Sequence, residues 1–390
     1  MIDPLRAIFG PERVTENERD LIAYSYDASG QKQIPTAVVF PKTADEIRKA
    51  ILYCNRINAS LIPRGFGTGT TAATIGSKAI ILDMTSMNAL YNLDKSARTA
   101  DLEPGISLAS LHSYLQKNGL TFPIRPYIKT HTTLGGVFAR NDLSPGSYRL
   151  GRAIQHIKQL EYLDGTGKHY SLKDNFDRVV GCEGTTGIIT RIIISLESVF
   201  TSTASITAYT DKDALLQAVS SLKRRSDILS IDYLNKKAAT AIGLPHSHHL
   251  IIEYYSNAGD AREPADVNSI LQKRDGIYDV LRLKGYQYWE DVSSDDILHL
   301  ITICEEDDLP CFGPIGLSTL FFCYTQKDIL LRSALHDLGL HADMHLGSAF
   351  GYGRTKKNYV PHDTKKKIIA LKQEYDYGNI LNRGALIDFR

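Results

Sequence analysis

Three glycine-rich segments in the first half of the chain have the composition of sites that hold an anionic cofactor. They are residues 63–70 (PRGFGTGT), 132–141 (TTLGGVFARN) and 181–190 (GCEGTTGIIT). Alternate glycines remove side chains from a turn, so successive backbone N–H groups can converge on an anion. Arg64 adds a positive charge, and Thr68 and Thr70 add hydroxyl donors, which suits a diphosphate. Each segment by itself is also compatible with an ordinary turn.

A second group of candidate residues lies near the end of the chain. His341, Asp343 and His345 alternate along a segment that would place them on one face of a strand. Two imidazoles and a carboxylate could bind a divalent metal such as zinc. They could also form an acid–base pair, or they could be polar residues on a solvated face. The cluster of histidines at 246–249 follows a glycine and precedes a strand, so we expect an exposed loop there.

The elements that must position these residues alternate between strand and helix over the first 200 positions. Apolar β-like stretches and i, i+3, i+4, i+7 patterns predict both kinds of element. Strands are predicted at 36–40, 60–63, 79–82, 156–164, 168–172 and 188–196, and helices after Thr43 and Ser107, with a long loop at 123–151. Beyond the Ser/Thr-rich stretch 200–205, helices are predicted at 213–225 and 364–375 and a strand at 249–255. We therefore expect an α+β protein with domains at 1–200 and 201–350 and a final segment, 351–390, that returns to the first domain.

Composition excludes several classes of protein. The chain has 390 residues, 43% hydrophobic and 23% charged, with a formal net charge of +1. This balance gives no bulk attraction to nucleic acid, so we expect no nucleic-acid partner. No apolar run reaches the roughly 18 residues of a transmembrane helix, and the N-terminus has no signal-peptide pattern. Five scattered cysteines without a CxxC motif argue against zinc ribbons, iron–sulfur clusters and disulfide frameworks. The cytoplasm is the expected location.

The order of the three glycine-rich segments resembles the flavoprotein family named after vanillyl-alcohol oxidase and p-cresol methylhydroxylase. The similarity is greatest to the branch of glycolate oxidase and D-lactate dehydrogenase. That branch typically reads PRGGGT, TIGG and GSEGTLGI in the three segments, and this chain departs from it at Phe66, Leu134, Cys182 and Thr186. The GxGxxG and P-loop patterns are absent from the first segment.

The resemblance implies a two-subdomain FAD-binding domain of the p-cresol methylhydroxylase type, followed by a smaller α+β cap domain. It implies that the first segment wraps the diphosphate and that the other two line the ribityl chain and the isoalloxazine. The residues expected to contact FAD are Pro63, Arg64, Gly65, Phe66, Gly67, Thr68, Gly69, Thr70, Gly105, Thr133, Leu134, Gly135, Gly136, Ala139, Glu183, Gly184, Gly187, Ile189 and Asn382. Some relatives attach FAD covalently through a histidine in the first segment. Positions 66–69 contain no His or Cys here, so we expect noncovalent FAD.

The activity implied by the resemblance is oxidation of a small 2-hydroxy acid, with hydride transfer to flavin N5. His345 is the candidate base, because 344–346 partly matches the family's Glu-His-Gly segment. Arg354 is the candidate clamp for the substrate carboxylate, with Arg282 and Arg332 as rivals. A sugar or aldonolactone dehydrogenase and a flavin-carrying electron-transfer subunit remain alternatives. Because no iron–sulfur cysteine pattern is present, the electrons are expected to leave through oxygen, a quinone, a dye-like acceptor or another protein. Whether a metal binds at 341–345 stays open.

Overall fold

The fold was analysed in a computed structural model that describes most of the chain. The described residues are 2–125, 132–256, 264–286, 288–293, 297–325, 345–346 and 352–389, with the backbone alone at 256, 264–266, 288, 290 and 345–346. His341, Asp343 and Arg332 therefore lie outside the described residues. Within the described parts, no helix combines the length and the apolar character needed to cross a membrane.

The helices and strands follow one another in the mixed order that the sequence predicts. The helices are α1 (Ile2–Phe9), α2 (Glu18–Tyr24), α3 (Ala44–Ile57), α4 (Leu108–Lys117), α5 (Leu134–Arg140), α6 (Ser147–Leu150), α7 (Lys212–Leu222), α8 (Lys236–Ala241), α9 (Pro264–Leu283), α10 (Ile297–Glu306) and α11 (His362–Tyr375). The strands are β1 (Val14–Thr15), β2 (Ala37–Val39), β3 (Ser60–Arg64), β4 (Ala79–Asp83), β5 (Leu90–Asp94), β6 (Thr99–Leu102), β7 (Leu120–Thr121), β8 (Ile157–Leu163), β9 (His169–Leu172), β10 (Ile188–Ser195), β11 (Glu197–Ser198), β12 (Thr201–Tyr209), β13 (Ile228–Leu234), β14 (His248–Ser256), β15 (Tyr288–Ser293), β16 (Cys311–Gly313), β17 (Thr319–Tyr324) and β18 (His345–Leu346).

The first subdomain is built on a sheet in the order β1-β2-β4-β3. β2, β4 and β3 are parallel, and β1 pairs antiparallel with β2. α3 covers this sheet because Ile47, Ile51 and Cys54 fall on one helical face and are completely buried. The hydroxyl of Thr43 accepts the N–H of Glu46 at 3.2 Å, so the predicted cap begins the helix. β3 ends at Arg64, so the first glycine-rich segment begins at the end of this strand.

The second subdomain is an antiparallel sheet in the order β5-β6-β10-β8-β9. Leu111 and Leu115 of α4 and Val137 and Phe138 of α5 are fully buried in the core beneath it. β10 contains the β-branched run predicted as a strand, and it begins at Ile188, inside the third glycine-rich segment. Val179 and Val180, which directly precede that segment, and Ile189 within it are buried in the core of this subdomain.

The cap domain contains a sheet in the order β12-β14-β13-β16-β17-β15-β18, antiparallel throughout the described residues. Apolar side chains alternate between two cores, one on each face. Phe322 joins the core formed with α7 and α10, while Phe321 and Cys323 join the core formed with α8 and α9. Helices on both faces explain why β13 and β17 are buried along their whole length.

The C-terminal segment returns to the first subdomain, as predicted. The N–H of Leu61 donates to Ile380 O at 2.8 Å, and the N–H of Asn382 donates to Leu61 O at 2.9 Å. Lys372 of α11 and Asp376 are both buried and form a salt bridge at 2.6 Å. The Asp376 carboxylate also accepts the N–H groups of Ile380 and Leu381, which fixes the returning chain.

Two local predictions were wrong. The segment 123–151, predicted as one long loop, contains α5 and α6. The histidine cluster 246–249 was predicted to form an exposed loop, but His248 and His249 begin β14 and are only 1% and 2% exposed. His248 Nδ1 lies 2.8 Å from the hydroxyl of Tyr233, so it belongs to the interior of the cap.

Candidate active site

The structure brings the three glycine-rich segments together around one pocket. Fifteen of the predicted cofactor residues line it: Pro63, Arg64, Gly65, Phe66, Gly67, Thr68, Gly69, Thr133, Gly135, Gly136, Ala139, Glu183, Gly184, Gly187 and Ile189. Further lining residues, beyond the set of individually predicted contacts, are Thr71, Ala73, Thr74, Met84, Pro104, Thr132, Arg140, Val179 and Ile188.

The side chain of Arg64 fixes the first segment by contacts with neighbouring parts of the chain. Its guanidinium donates to Tyr26 O at 2.9 Å and to Thr74 O at 3.2 Å, and it lies over the ring of Tyr24. Burial lowers the pKa of Arg64. Gly67 has a φ of +68°, and a Cβ there would lie 2.2 Å from Arg64 Nη2. Position 67 therefore requires glycine for its backbone conformation and for the space that Arg64 occupies.

The second segment enters the pocket as the first turn of α5. Thr133 caps the helix by accepting the N–H of Gly136 at 3.2 Å. A Cβ at Gly135 would lie 2.8 Å from Pro104, and a Cβ at Gly65 would lie 2.4 Å from the Thr133 hydroxyl. The glycines thus let the first and second segments approach each other closely. Arg140, at the end of α5, lines the pocket and forms a two-bond ion pair with Asp142 at 2.9 and 2.7 Å.

The third segment connects the pocket to the C-terminal part of the chain. Glu183 has a φ of +48°, and its N–H donates to Ala139 O at 2.9 Å. Its buried carboxylate accepts the N–H of Tyr352 at 2.6 Å and that of Gly353 at 3.0 Å. Burial raises the pKa of Glu183, although these two N–H groups oppose the shift. Asn382 reinforces the connection by donating to Glu183 O at 2.7 Å.

Four predicted cofactor residues do not line the pocket. Leu134 is fully buried in the core, and Gly105 packs against the backbone of Met84, where a Cβ would lie 1.9 Å from a carbonyl oxygen. The side chain of Asn382 is occupied with Ala73 O, Glu183 O and Arg354, so it supports the pocket from outside. Thr70 directly follows the lining residues, and its Oγ1 is buried without a hydrogen-bond partner.

The residues present fit a dinucleotide such as FAD. The pocket is lined by the glycines of three turns, so backbone N–H groups can reach a diphosphate. The guanidinium of Arg140, paired with Asp142, lies in the lining, and the unpartnered hydroxyl of Thr70 directly follows the lining residues. Isoleucines 188 and 189, Val179 and Met84 give apolar surface for a flat ring system. No His, Cys or Tyr is among the described residues that line this pocket.

A second, more open cleft lies between the FAD-side domain and the cap. One side of the cleft is lined by Arg149, Arg152 and His156, and the other side by Ser293 and Thr319 of the cap. Tyr352 also borders the cleft. The remaining lining residues are Ala97, Arg98, Leu143, Ser147, Tyr148, Leu150, Gly151, Gln155, Lys158, Ser195, Leu196, Glu197, Leu317 and Pro361. The cleft adjoins the first pocket at Tyr352, which donates its N–H to the carboxylate of the pocket-lining Glu183.

A buried ion pair joins the cap to the C-terminal segment beside this cleft. Asp291 of β15 is 0% exposed and Lys356 is 3% exposed, and their Oδ1 and Nζ atoms lie 3.2 Å apart. The N–H of Lys356 donates to Tyr352 O at 2.9 Å. A continuous path therefore runs from the cap sheet through Lys356 and Tyr352 to Glu183 in the third segment.

Of the two predicted catalytic residues, His345 lies on a strand beside the cleft, whereas Arg354 lies away from it. His345 is the register partner of Ser293, which lines the cleft. Arg354 lies behind the first segment, where Nη1 donates to Ala72 O at 2.8 Å and Nη2 to Asn382 Oδ1 at 2.8 Å. Burial lowers the pKa of Arg354 to about 10. These contacts do not support Arg354 as a substrate clamp and assign it to holding the C-terminal segment against the first segment.

Of the rival arginines, Arg282 is described and Arg332 is not, and the side chains of the candidate metal set at 341–345 also lie outside the described residues. Arg282 lies at the end of α9 in a separate surface hollow that Asp279 also lines. Among the described residues, no group of three or more His, Cys, Asp or Glu side chains could hold a metal ion. The site residues missed by the sequence are Arg140, Arg152, Asp291, Tyr352 and Lys356. A signal existed only for Arg140, which directly follows Ala139 in the second segment.

Comparison with known proteins supports the assignment of the pocket. Residues 35–173 match the family model described as an FAD binding domain. The chain is 27% identical to "Glycolate oxidase subunit GlcD" of Bacillus subtilis (strain 168), over 98% of this chain and 96% of that protein. It is 23% identical to "D-2-hydroxyglutarate dehydrogenase" of Stutzerimonas stutzeri (strain A1501), over 62% of this chain and 55% of that protein. The fold resembles a p-cresol methylhydroxylase structure with substrate bound, with a TM-score of 0.80, 13% identity, and coverage of 100% of this chain and 96% of that one.

The fold and the pocket define a class of protein: an FAD-binding oxidoreductase with a p-cresol methylhydroxylase-type FAD domain and an α+β cap. Within that class, the chain is similar over 98% of its length to a glycolate oxidase subunit, and over 62% of its length to D-2-hydroxyglutarate and D-lactate dehydrogenases. The family resemblance and the FAD cofactor predicted from the three glycine-rich segments are thereby confirmed.

Proposed function

We propose that this protein oxidises a small 2-hydroxy acid, of the glycolate or D-lactate kind, to the 2-oxo acid. The observation that carries the proposal is the junction of the two cavities. The pocket of the glycine-rich segments adjoins an interdomain cleft that contains cationic and hydroxyl side chains. A polar substrate in the cleft would thus lie next to the cofactor pocket. The relatives that match this chain are named for glycolate, D-lactate and D-2-hydroxyglutarate, which supports the substrate class.

FAD, when bound, accepts the hydride that leaves the substrate carbon. The chain must bind FAD, orient the substrate and take up the hydroxyl proton. The lining glycines and Thr133 bind and shape the cofactor site, while Arg140 places a cation beside it. His345 is the proposed base, because imidazole titrates near neutral pH and the residue is paired with the cleft-lining Ser293. The absence of His and Cys from positions 66–69 supports noncovalent attachment.

Two other functions remain as alternatives within the same fold. A sugar or aldonolactone dehydrogenase would use the same FAD domain and would need no carboxylate site. A flavin-carrying electron-transfer subunit would need a partner for catalysis, and the electron acceptor in any of these cases would be oxygen, a quinone or another protein. All five cysteines are buried and free, which supports a reducing compartment such as the cytoplasm.

Anaerobic reduction of the purified yellow protein distinguishes these functions. D- and L-2-hydroxy acids and a set of aldoses are mixed with it separately, and the loss of the oxidised flavin absorbance is followed. Rapid bleaching by one enantiomer of a 2-hydroxy acid is the expected result. Bleaching by aldoses alone would establish the sugar dehydrogenase, and bleaching by no member of the panel would favour the electron-transfer subunit.

A further inference from the structure

Four consecutive backbone N–H groups join the C-terminal segment to two walls of the FAD pocket. They belong to residues 352–355, which we call the junction segment. The first two donate to the carboxylate of Glu183, at 2.6 and 3.0 Å. The last two donate to Thr71 O, at 2.8 and 3.2 Å. Glu183 lies in the third glycine-rich segment, Thr71 directly follows the first, and both line the pocket, so the junction segment bridges the two walls.

The junction segment packs against the Thr71 wall backbone to backbone. Gly353 has a φ of +47°, and a Cβ at this position would lie 2.1 Å from Thr71 O. The carbonyl of Gly353 accepts the N–H of Leu386 at 2.8 Å, which holds the segment from its other side. Because Gly353 has no side chain to separate the two backbones, a shift of the junction segment would displace this wall of the pocket as well.

Glu183 is fixed in the position that holds the opposite side of the junction segment. Its φ of +48° is a conformation that residues other than glycine rarely adopt. The conformation is maintained because the N–H of Glu183 donates to Ala139 O at 2.9 Å and its carbonyl accepts the side-chain N–H of Asn382 at 2.7 Å. The backbone of Glu183 is thus tied to two other parts of the site, while its carboxylate binds the junction segment.

The carboxylate of Glu183 depends on these two N–H donors because it is buried. Glu183 is only 5% exposed, and burial raises its pKa, while the two N–H groups and the nearby charges of Arg140 and Arg354 act in the opposite direction. Separating the carboxylate from its donors would leave buried polar groups unsatisfied on both sides. The side chain and the junction segment therefore form one structural unit.

We propose that Glu183 is a positioning residue for FAD: its carboxylate fixes the junction segment against the pocket, so that cofactor binding and docking of the C-terminal segment are coupled. The inference concerns the FAD site and does not depend on the substrate proposed above. Thermodynamic linkage requires that FAD strengthens the docking of the junction segment by the same factor by which docking strengthens FAD binding. The coupling is therefore measurable from either side.

Titration of the apoprotein with FAD measures the effect on the cofactor. Glu183→Gln keeps an acceptor oxygen of equal reach, whereas Glu183→Met keeps the length of the side chain and removes both oxygens. Glu183→Met should weaken FAD binding by about 10- to 100-fold, and Glu183→Gln should recover at least about threefold of that loss. Glu46→Gln is the matched control and should change the affinity by less than about threefold. The Glu46 carboxylate also accepts a backbone N–H, that of Lys42 at 2.7 Å, but Glu46 is not among the described residues that line the pocket.

Hydrogen–deuterium exchange measures the effect on the junction segment. Saturating FAD should slow the exchange of the amides of residues 352–355 in the wild type by at least about tenfold. In Glu183→Met these amides should exchange rapidly with or without FAD, while β10 keeps the protection that FAD gives it in the wild type. A residue with a merely structural role would instead lower the protection of both regions alike.

Two results would overturn the inference. One is equal exchange of the junction amides in the wild type with and without FAD, and the other is wild-type FAD affinity in Glu183→Met. If Glu183→Met does not fold, Glu183→Gln and the wild-type exchange decide the question by the same criteria. Flavin bleaching has no part in these measurements, so a failure of 2-hydroxy acids to reduce the flavin would contradict the proposed oxidation and leave this inference standing.

Discussion

The carboxylate of Asp291 and the ammonium group of Lys356 lie 3.2 Å apart in the interior, although 65 residues separate them in the chain. Asp291 belongs to the cap sheet, and Lys356 belongs to the segment that returns to the FAD domain. The pair therefore ties the two halves of the molecule together at the side of the interdomain cleft. Its position makes the geometry of that cleft dependent on two buried charges.

Removing one partner of this pair should destabilise the protein strongly. Asp291→Asn leaves the ammonium of Lys356 buried without its counter-charge, which typically costs about 3–5 kcal/mol. Urea unfolding of the holoprotein measures the loss. The matched control is Asp227→Asn at the exposed Arg225–Asp227 pair, where the expected cost is below about 1 kcal/mol. Equal effects at the two sites would show that the buried pair does not hold the cap.

His345→Asn should separate catalysis from folding. If His345 takes the substrate proton, the variant should keep FAD and its unfolding midpoint but reduce its flavin more slowly with the preferred hydroxy acid. General bases contribute about 10²–10⁴-fold, so a fall of at least tens-fold is expected in the anaerobic half-reaction. Asp343→Asn serves as the neighbouring control and should have a milder effect. A His345→Asn enzyme that is reduced at the wild-type rate would exclude His345 as the base.

His156 should make stability sensitive to acid. It is 7% exposed, and burial lowers its pKa below the usual value of about 6.5. A histidine that is held neutral stabilises the fold fully above the pKa of the unfolded chain. This stabilisation decreases as the pH falls below about 6.5, towards the lowered pKa of His156 in the folded protein. In that range the histidine of the unfolded chain binds a proton, whereas the buried histidine stays neutral.

Replacing this histidine tests the effect. Urea unfolding at pH 8 and pH 5 should show a larger loss of stability in the wild type than in His156→Gln. The difference between the two proteins isolates His156 from all other titrating groups. An equal loss in both proteins would show that the ring is not held neutral by its burial.

Denaturation should release the flavin from the chain. The first glycine-rich segment contains no His or Cys at positions 66–69, and the described lining of the pocket contains no His, Cys or Tyr. Acid precipitation should therefore leave the yellow chromophore in the supernatant, where its absorbance is measured. Yellow colour retained in the washed pellet would show a covalent bond and would point to a residue outside that lining.

Sequence reasoning succeeded where local patterns carry the information. Alternate glycines, a capping threonine and β-branched runs predicted β3, α3, β10 and the three segments that meet in the pocket. The diglycine at 135–136 misled it, because glycine disfavours helix by about 1 kcal/mol per residue. In the structure, the Thr133 cap and the burial of Val137 and Phe138 outweigh that preference.

The residues at the interdomain cleft could not be predicted from local sequence patterns. Arg152, Asp291 and Tyr352 come from three distant parts of the chain, and only the docking of the cap on the FAD domain brings them together. Single charged or aromatic residues have no periodicity that would distinguish them from surface residues. Arg354 shows the converse error, since its position beside a glycine suggested a substrate clamp while its guanidinium holds Ala72 O and Asn382.

The central claim is that the glycine-rich segments form the FAD site, and titration of the apoprotein with FAD tests it most directly. Gly67→Ala is compared with Gly119→Ala. Both glycines have positive φ, +68° and +73°, so both variants carry the same kind of backbone strain. A Cβ at position 67 meets the guanidinium of Arg64 at 2.2 Å, whereas one at position 119 meets nothing within 4 Å. We predict that Gly119→Ala binds one FAD per chain with wild-type affinity, while Gly67→Ala stays folded and loses at least about tenfold in affinity, or 1.4 kcal/mol. Wild-type FAD affinity in Gly67→Ala would contradict the assignment of the pocket.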